Sequence, residues 1–394
     1  MATDNLQAQI AMMKTMLDPW YQALADPAKA QEIVLERLLK GYSQTEYGRK
    51  HKSENVGSYA DYRKAFPVQT YDEFKPLIDK VLDGDMHVLL NEVPVGWGMT
   101  RGTTKGVSKL IPITPTEVRT WMLGARVSVN YALTKQRFSF MTGYNLNTNN
   151  RSNLGTKKIG NKEVDYGFSA GLYTTLAAKN SPYPFLLTPT QQEINDLGGG
   201  TTKKDWEARH ELTYEKAREK NVTIMSGMAM NALYFGRFLH RKHKIYPKDI
   251  WQFELVYLGS SPGINTRLAT PLHTLYGKSA VIRETYAASE GLFGGQMDDN
   301  RAWSPYYDNM FFEIQTINGI KQLHDMVPGE VGSLIISTPV FPRYRIGDLI
   351  LAFESPYFQC IGRENTKLHP YHFGKLSGKS DFNFSKPKDL VTWR

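Results

Sequence analysis

The feature that most limits the possible folds is a repeated order of extended segment, turn and helix. The segment KLIPIT (109–114) is a plausible strand, and TPTE (114–117) then forms a capping box with proline at the first helical position. This pattern predicts a helix through about Leu133. Further extended segments are VTIM (222–225, before a helix to about His240), FELVYL (253–258) and AVIRETY (280–286). Alternation of this kind is typical of an α/β fold.

The two ends of the chain differ from this pattern. The first fifty residues are helical in pattern, with a helix start at Asp26-Pro27 and apolar residues on one face before Gly41. The last hundred residues, with GSLIIST (332–338) and DLILAF (348–353), predict strands with little helix.

Two polar segments interrupt the alternation. The segment NLNTNNRSNLGTKKIGNKE (145–163) is expected to be an exposed loop. The segment LGGGTTKK (197–204) has the composition of a phosphate-binding loop, but it follows the polar stretch TQQEIND instead of a strand. It is therefore expected to be a flexible linker.

Composition excludes several classes of protein. The chain has 394 residues, of which 41% are apolar, so it can bury a sizeable core. The single cysteine, Cys360, excludes internal disulfides and cysteine-built metal clusters. No run of about 18 apolar residues is present, so a membrane span is excluded and a soluble, cytoplasmic protein is expected. The net charge of +9 is spread along the chain without interleaved aromatic residues, so no nucleic-acid partner is expected.

The run TRGTTKGVSK (100–109) is rich in glycine, hydroxyls and positive charge. Successive backbone N–H groups in such a turn can form a concave anion site, to which hydroxyls and an ammonium add donors. The spacing does not match the P-loop pattern. Alone, the run fits a solvated structural loop as well as a phosphate site.

Two later segments favour the phosphate site. In TYAASEG (285–291), Ser289 and Glu290 follow a predicted strand, at the edge where open α/β sheets bind ligands. An acidic residue there could hold magnesium. In YRIGD (344–348), Asp348 follows a predicted tight turn at Gly347, where its carboxylate could accept hydrogen bonds from two ribose hydroxyls. Glu290 could also be an ordinary surface acid, and Asp348 could cap a turn.

In this order, TRGTTKGVSK, YAASE and YRIGD resemble the motifs of the adenylate-forming superfamily of firefly luciferase and the acyl-CoA synthetases. More closely, they resemble the auxin-responsive acyl acid–amido synthetases and their microbial relatives. The segments GSSPG (259–263) and FQCIGREN (358–365) also match, so the resemblance runs from about residue 20 to 365. It implies a large domain with two packed α/β sheet subdomains and a smaller β-rich subdomain.

The resemblance also implies a reaction, in which a carboxylic acid attacks the α-phosphate of ATP and forms an acyl adenylate, with Mg²⁺ as cofactor. An amino acid or coenzyme A would be the acceptor. Lys109 and Glu290 would be catalytic, and Glu290 would bind the metal. The acid pocket is expected to be apolar, with Trp121, Met122 and Val127. Residues implied to bind the nucleotide are Thr100, Arg101, Gly102, Thr103, Thr104, Lys105, Gly106, Gly259, Ser260, Ser261, Tyr286, Ala287, Ala288, Ser289, Asp348 and Arg363.

The chain departs from the family pattern in two places. Arg101 stands where the family has a small serine. The family also has a C-terminal lid domain of about a hundred residues or more, whereas residues 366–394 form a short polar tail after a large domain at 1–365. A lid supplied by a separate chain is therefore one expectation. A relative that binds nucleotide or acyl adenylate without catalysis is the alternative.

Overall fold

The computed structural model describes residues 2–100, 108–159, 162–180, 186–261 and 263–364. Its α-helices are α1 (Ala2–Ala25), α2 (Pro27–Tyr42), α3 (Glu46–Lys50), α4 (Tyr59–Ala65), α5 (Tyr71–Leu82), α6 (Pro115–Met122), α7 (Arg126–Lys135), α8 (Ser169–Asn180), α9 (Gln191–Leu197), α10 (Lys203–Ala217), α11 (Ala229–His243), α12 (Pro247–Ile250) and α13 (Ala269–Tyr276). Its strands are β1 (Gly96–Met99), β2 (Leu110–Ile113), β3 (Tyr144–Leu146), β4 (Gly155–Ile159), β5 (Lys162–Phe168), β6 (Leu187–Thr188), β7 (Val222–Met228), β8 (Leu255–Gly259), β9 (Val281–Ala288), β10 (Gly291–Gly295), β11 (Ser304–Pro305), β12 (Phe311–Thr316), β13 (Gly319–Gln322), β14 (Val331–Ser337), β15 (Tyr344–Ala352) and β16 (Phe358–Arg363).

The strands form three sheets. A seven-stranded sheet has the order β11-β10-β9-β8-β7-β3-β6, and its strands from β9 to β6 are parallel. A four-stranded sheet has the order β2-β1-β5-β4, and an antiparallel five-stranded sheet has the order β13-β12-β14-β15-β16. The predicted α/β fold with a β-rich C-terminal part is confirmed. Ligands bind such parallel sheets beyond the carboxyl ends of the strands.

The predicted helix after KLIPIT is present. The Thr114 hydroxyl accepts a hydrogen bond from the Glu117 backbone N–H, and the Glu117 carboxylate accepts one from the Thr114 N–H at 3.0 Å. This reciprocal pair satisfies two N–H groups that have no partner within the helix. The helix is broken by a 3-10 turn at Leu123–Ala125 before α7 continues to Lys135.

Helices α2 to α5 pack in one core with the five-stranded sheet, whereas α1 packs against α7. Asp26 caps α2 as predicted, and the apolar face of α2 is buried in the main core. The buried Gln31 amide donates to the Tyr307 and Met310 carbonyls and accepts from the Phe312 N–H, so α2 is tied to the start of β12 by side-chain hydrogen bonds. Among the described residues, no helix is long and apolar enough to cross a membrane.

The prediction of an exposed loop at 145–163 is wrong. This segment contains the end of β3, all of β4 and the start of β5. Several of its polar residues are buried, and hydrogen bonds tie the segment to α9: the Gln191 side chain donates to the Asn150 carbonyl, and the Asn195 side chain accepts from the Ser152 N–H. A polar sequence therefore becomes part of the interior by pairing with α9.

The predicted linker at 197–204 does connect two helices, and its flexibility stays a prediction, whereas the predicted turn at Gly347 is corrected. The segment 197–204 is a tight connection between α9 and α10, in which Gly198 and Gly199 take positive φ angles and Thr202 caps α10 in a capping box with Asp205. Gly347 does not form a turn but lies inside β15 with φ of +85°, where the register against β14 shifts. That shift is a bulge, which re-aims the side chains next to it.

Candidate active site

A cavity of about 1030 Å³ lies at the carboxyl edge of the parallel strands. Its walls come from the ends of β7, β8 and β9, from α6 and α8, and from β15 and β16 of the five-stranded sheet. The predicted site residues that line it are Thr100, Lys109, Gly259, Ser260, Ala287, Ala288, Ser289, Glu290 and Arg363. Since Arg345, Ile346 and Gly347 of YRIGD also line it, the fold brings residues from all three quoted motifs to one cavity.

The glycine-threonine run is described only at its two ends. Arg101, Gly102, Thr103, Thr104, Lys105 and Gly106 lie outside the described residues. The Thr100 N–H donates to the Lys109 carbonyl at 3.0 Å, and the Lys109 N–H donates to the Thr100 hydroxyl at 2.9 Å. These bonds extend the antiparallel pairing of β1 and β2, so both ends of the run lie at the cavity wall.

Lys109 and Glu290 are joined through a tyrosine. The Lys109 ammonium donates to the Tyr344 hydroxyl at 3.0 Å, and that hydroxyl donates to a Glu290 carboxylate oxygen at 3.0 Å. Burial, followed by the Glu290 charge, raises the pKa of Tyr344, so its proton stays in place as the bridge. Sequence reasoning missed Tyr344, although it is the first residue of YRIGD.

Ser289 is held by α8. The Ser169 hydroxyl donates to the Ser289 hydroxyl at 2.7 Å, and Ser169 also lines the cavity. Ser169 can approach β1 this closely only because residue 98 is glycine, since a Cβ there would lie 2.8 Å from the Ser169 hydroxyl oxygen. Sequence reasoning missed Ser169, since no motif surrounds it.

Tyr286 and Asp348 do not line the cavity. The Tyr286 hydroxyl donates to Asp348 at 2.6 Å, and its ring stacks on Trp303 with centroids 4.7 Å apart. Arg363, which does line the cavity, donates to the other Asp348 oxygen. Burial raises the pKa of Asp348, and the Arg363 charge opposes this rise. Tyr286 and Asp348 thus form a buried pair, which Arg363 connects to the cavity wall.

The turn after β8 presents backbone to the cavity. Gly259 and Ser260 line it, and Ser260 has a φ of +63°. A Cβ at Gly259 would lie 2.8 Å from a Thr285 side-chain carbon, so a larger residue would displace β9. Ser261 is not among the lining residues.

The wall also differs in part from the predicted acid pocket. Trp121 and Met122 line the cavity, as expected, and the Trp121 ring stacks on Tyr173 at 4.1 Å between centroids. Val127 does not line it but is 1% exposed in the core. Its position after the 3-10 turn rotates it away from the face that carries Trp121.

The residues present fit a magnesium ion bound together with phosphates. Among the described residues, no group of three or more acidic, histidine or cysteine side chains is arranged to hold a metal. Of the carboxylates that line the cavity, Glu290 is the one linked to Lys109 through Tyr344, and it is 5% exposed. One carboxylate plus substrate phosphates is a common way for proteins to bind Mg²⁺.

Comparison with known proteins agrees with the motifs. Residues 17–199 match the model of the GH3 family N-terminal domain. Just under half of the chain is therefore similar to this domain. The resemblance to the acyl acid–amido synthetases is thereby confirmed, while a microbial origin stays a prediction.

Two plant synthetases are similar to parts of this chain. Indole-3-acetic acid-amido synthetase GH3.15 from Arabidopsis thaliana is 36% identical over 85 residues, which are 21% of this chain and 14% of that protein. Jasmonoyl–L-amino acid synthetase JAR4 from Nicotiana attenuata is 24% identical over 159 residues, 40% of this chain and 26% of that protein. The matches thus span about a quarter or less of these relatives.

Solved structures share the fold over a longer range. The Arabidopsis GH3.15 acyl acid amido synthetase in complex with 2,4-DB superposes with a TM-score of 0.72 at 17% identity, covering 89% of this chain and 70% of that one. An open 2-hydroxyisobutyryl-CoA ligase in complex with 2-HIB-AMP and CoA gives 0.58 at 14% identity, covering 84% and 74%. The chain therefore shares the fold of these two ligases.

Proposed function

We propose that this protein uses ATP to activate a carboxylic acid as an acyl adenylate, which is then ligated to an amine, such as an amino acid, or to a thiol, such as coenzyme A. The observation that carries the proposal is the Lys109–Tyr344–Glu290 chain of hydrogen bonds, which places a cation and a carboxylate side by side in a cavity of about 1030 Å³. The names of the relatives and the shared fold support the same reaction class.

In the proposed reaction, a carboxylate oxygen of the acid attacks the α-phosphorus of ATP. The new oxygen–phosphorus bond forms as the bond to the β-phosphate oxygen breaks, and pyrophosphate leaves with the negative charge. No protein nucleophile is needed, because positioning and neutralisation of charge supply the rate enhancement. Lys109 would neutralise phosphate charge, and Ser289, oriented by Ser169, would donate to a phosphate oxygen.

Glu290 would hold Mg²⁺, which when bound neutralises charge on the phosphates. The bridging Tyr344 hydroxyl keeps the Glu290 carboxylate and the Lys109 ammonium at a fixed separation. Without that bridge, the two side chains could collapse into a direct ion pair and withdraw from the ligand.

The nucleoside would lie along the turn after β8 and the end of β9. Gly259, Ser260, Ala287 and Ala288 would form the adenine surface, with Ser261 following in the same turn and the Tyr286 ring supporting the strand from behind. Asp348 and Arg363 would bind the ribose. Asp348 has two oxygens and thus spare acceptor capacity beyond its bonds to Tyr286 and Arg363.

The remaining expectations stay part of this proposal. Residues 101–106 would complete the phosphate site, and residues 1–365 would form the adenylating domain with 366–394 outside it. A small domain from a separate chain is proposed as a partner for the ligation step, with no nucleic acid and no membrane involved. A cytoplasmic location is proposed with it.

The test is pyrophosphate exchange into ATP across a panel of carboxylic acids, with the Glu290→Gln variant as control. Exchange with at least one acid, reduced by the substitution, supports the proposal. ATP binding without exchange for any acid would instead favour a non-catalytic nucleotide-binding relative. Absence of both would refute the proposal.

A further inference from the structure

One end of the cavity carries a cluster of amide and hydroxyl side chains. The segment NLNTNN (145–150) starts in β3 and passes beyond its carboxyl end, facing residues of α8 and β7. We call this cluster the amide patch; its members, all lining the cavity, are Asn145, Asn147, Asn149, Asn150, Thr174 and Ser226.

Hydrogen bonds hold the amide patch in place without using all of its capacity. Asn145 donates to the Ser226 hydroxyl at 2.6 Å and accepts from the Ser226 N–H, and Asn149 donates to the Thr174 hydroxyl at 3.1 Å. An amide side chain has two donors and an acceptor oxygen with two lone pairs. These four residues are only partly buried, so the patch can offer both donors and acceptors to a ligand.

Asn150 adds an unsatisfied amide. Its side chain is 1% exposed, and neither the amide oxygen nor the amide nitrogen has a hydrogen-bond partner among the described residues. Burial of an unpaired amide costs free energy, which a hydrogen-bonding ligand at this wall would reduce.

The chain segments that form the amide patch contribute no charged side chain to the cavity wall. The charged residues in the wall are Asp72, Lys75, Lys109, Glu290, Arg345, Arg363 and Glu364. Among the described residues from Trp121 to Ser289 in the sequence, no charged side chain lines the cavity. A charged ligand group here would lose its hydration without an ionic partner, so this end favours a neutral group.

Helix α8 gives the distance between the Ser289 end of the cavity and the amide patch. Its first residue, Ser169, contacts Ser289, and Thr174 contacts Asn149. Five residues of α-helix correspond to a rise of about 7.5 Å. An acid whose carboxylate reacts near Ser289 would therefore bring its far end to the amide patch.

We infer that the acid substrate carries a neutral hydrogen-bonding substituent, a hydroxyl or an amide, at the end distal to its carboxyl group, and that the amide patch binds it. This inference rests on the proposed function and names its substrate class. The apolar residues Trp121 and Met122 would contact the part between the two polar ends.

The experiment compares three acids that share one skeleton: 3-phenylpropionate, 3-(4-hydroxyphenyl)propionate and 3-(4-carboxyphenyl)propionate. Pyrophosphate exchange gives kcat/KM for each, and calorimetry with ATP present gives acid binding independently of turnover. Asn149→Leu removes an amide from the patch. Asn180→Leu, at the exposed end of α8 and outside the cavity, is the matched control.

The hydroxylated acid is expected to be preferred over the plain acid by about tenfold, the worth of one net hydrogen bond, with the dicarboxylate poorest. Asn149→Leu should bring the kcat/KM values of the hydroxylated and plain acids to near equality, while Asn180→Leu keeps the preference. Equal use of the two acids by the unsubstituted protein, or an unchanged preference in Asn149→Leu, would overturn the inference and leave the proposed function standing. Acid binding with the expected preference but no exchange would uphold the inference about the patch and count against catalysis.

Discussion

Replacing Asp348 by alanine should destabilise the protein through Tyr286 more than through Arg363. The Tyr286 hydroxyl is buried and donates to Asp348 at 2.6 Å, so the substitution leaves a buried donor unpaired, at a cost of about 1–3 kcal/mol. The Arg363 side chain is 37% exposed and can turn to water, so loss of its ion pair with Asp348 should cost about 0–1 kcal/mol.

Burial of the carboxylate acts in the opposite direction. Because desolvation raises the pKa of Asp348, the charged form is less favourable in the folded protein than in water, and its removal returns part of that cost. The expected net loss for Asp348→Ala is therefore about 1–3 kcal/mol.

The assay is urea unfolding at pH 7 for Asp348→Ala, Asp348→Asn and Tyr286→Phe. The asparagine oxygen can still accept from Tyr286, so Asp348→Asn should recover most of the stability. Equal destabilisation by the alanine and asparagine variants would refute the reasoning, because the ion pair with Arg363 would then be the dominant interaction. If Asp348 binds ribose as proposed, the alanine variant should also weaken ATP and AMP binding to the same extent.

Three further substitutions test other contacts. Burial raises the pKa of Glu117 to about 8, so the protein should lose stability as the pH rises from the unfolded pKa of 4.5 through 8. Glu117→Gln keeps the acceptor for the Thr114 N–H but has no proton to lose, so in urea unfolding its stability relative to the unsubstituted protein should grow by about 3–5 kcal/mol over that range. Parallel pH profiles of the two proteins would disprove this. Lys109→Ala should slow pyrophosphate exchange about 100-fold while changing AMP affinity little, and equal losses in both would count against a phosphate role. Glu290→Gln should raise the magnesium concentration needed for half-maximal exchange about tenfold, and an unchanged magnesium titration would remove Glu290 from the metal site.

The sequence predicted the order of elements well where local signals were strong. The capping box at Thr114 and the cap at Asp26 each satisfy backbone N–H groups within a few residues, so they depend little on the rest of the fold. The strands at 222–225, 253–258 and 280–286 could be recognised because strands of a buried parallel sheet are rich in apolar residues, which the sequence shows directly.

Long-range pairing was invisible in the sequence. The polar segment after Asn145 resembled a loop because its burial depends on partners in α9 and β7 that are distant in the chain. Ser169 and Tyr344 likewise gain their roles only when α8 and β15 meet the β9–β10 turn. The bulge at Gly347 could not be told from a turn, because both place a glycine at positive φ.

The most direct test of the central claim follows the atoms of the acid. A carboxylic acid that supports exchange is labelled with ¹⁸O in its carboxyl group and incubated with ATP, magnesium and hydroxylamine, which captures the activated acyl group. If the acid attacks the α-phosphorus, one labelled oxygen must appear in AMP, and the other products are pyrophosphate and the hydroxamate. Label in inorganic phosphate with ADP as the other product would mean attack on the γ-phosphorus, and it would contradict the account.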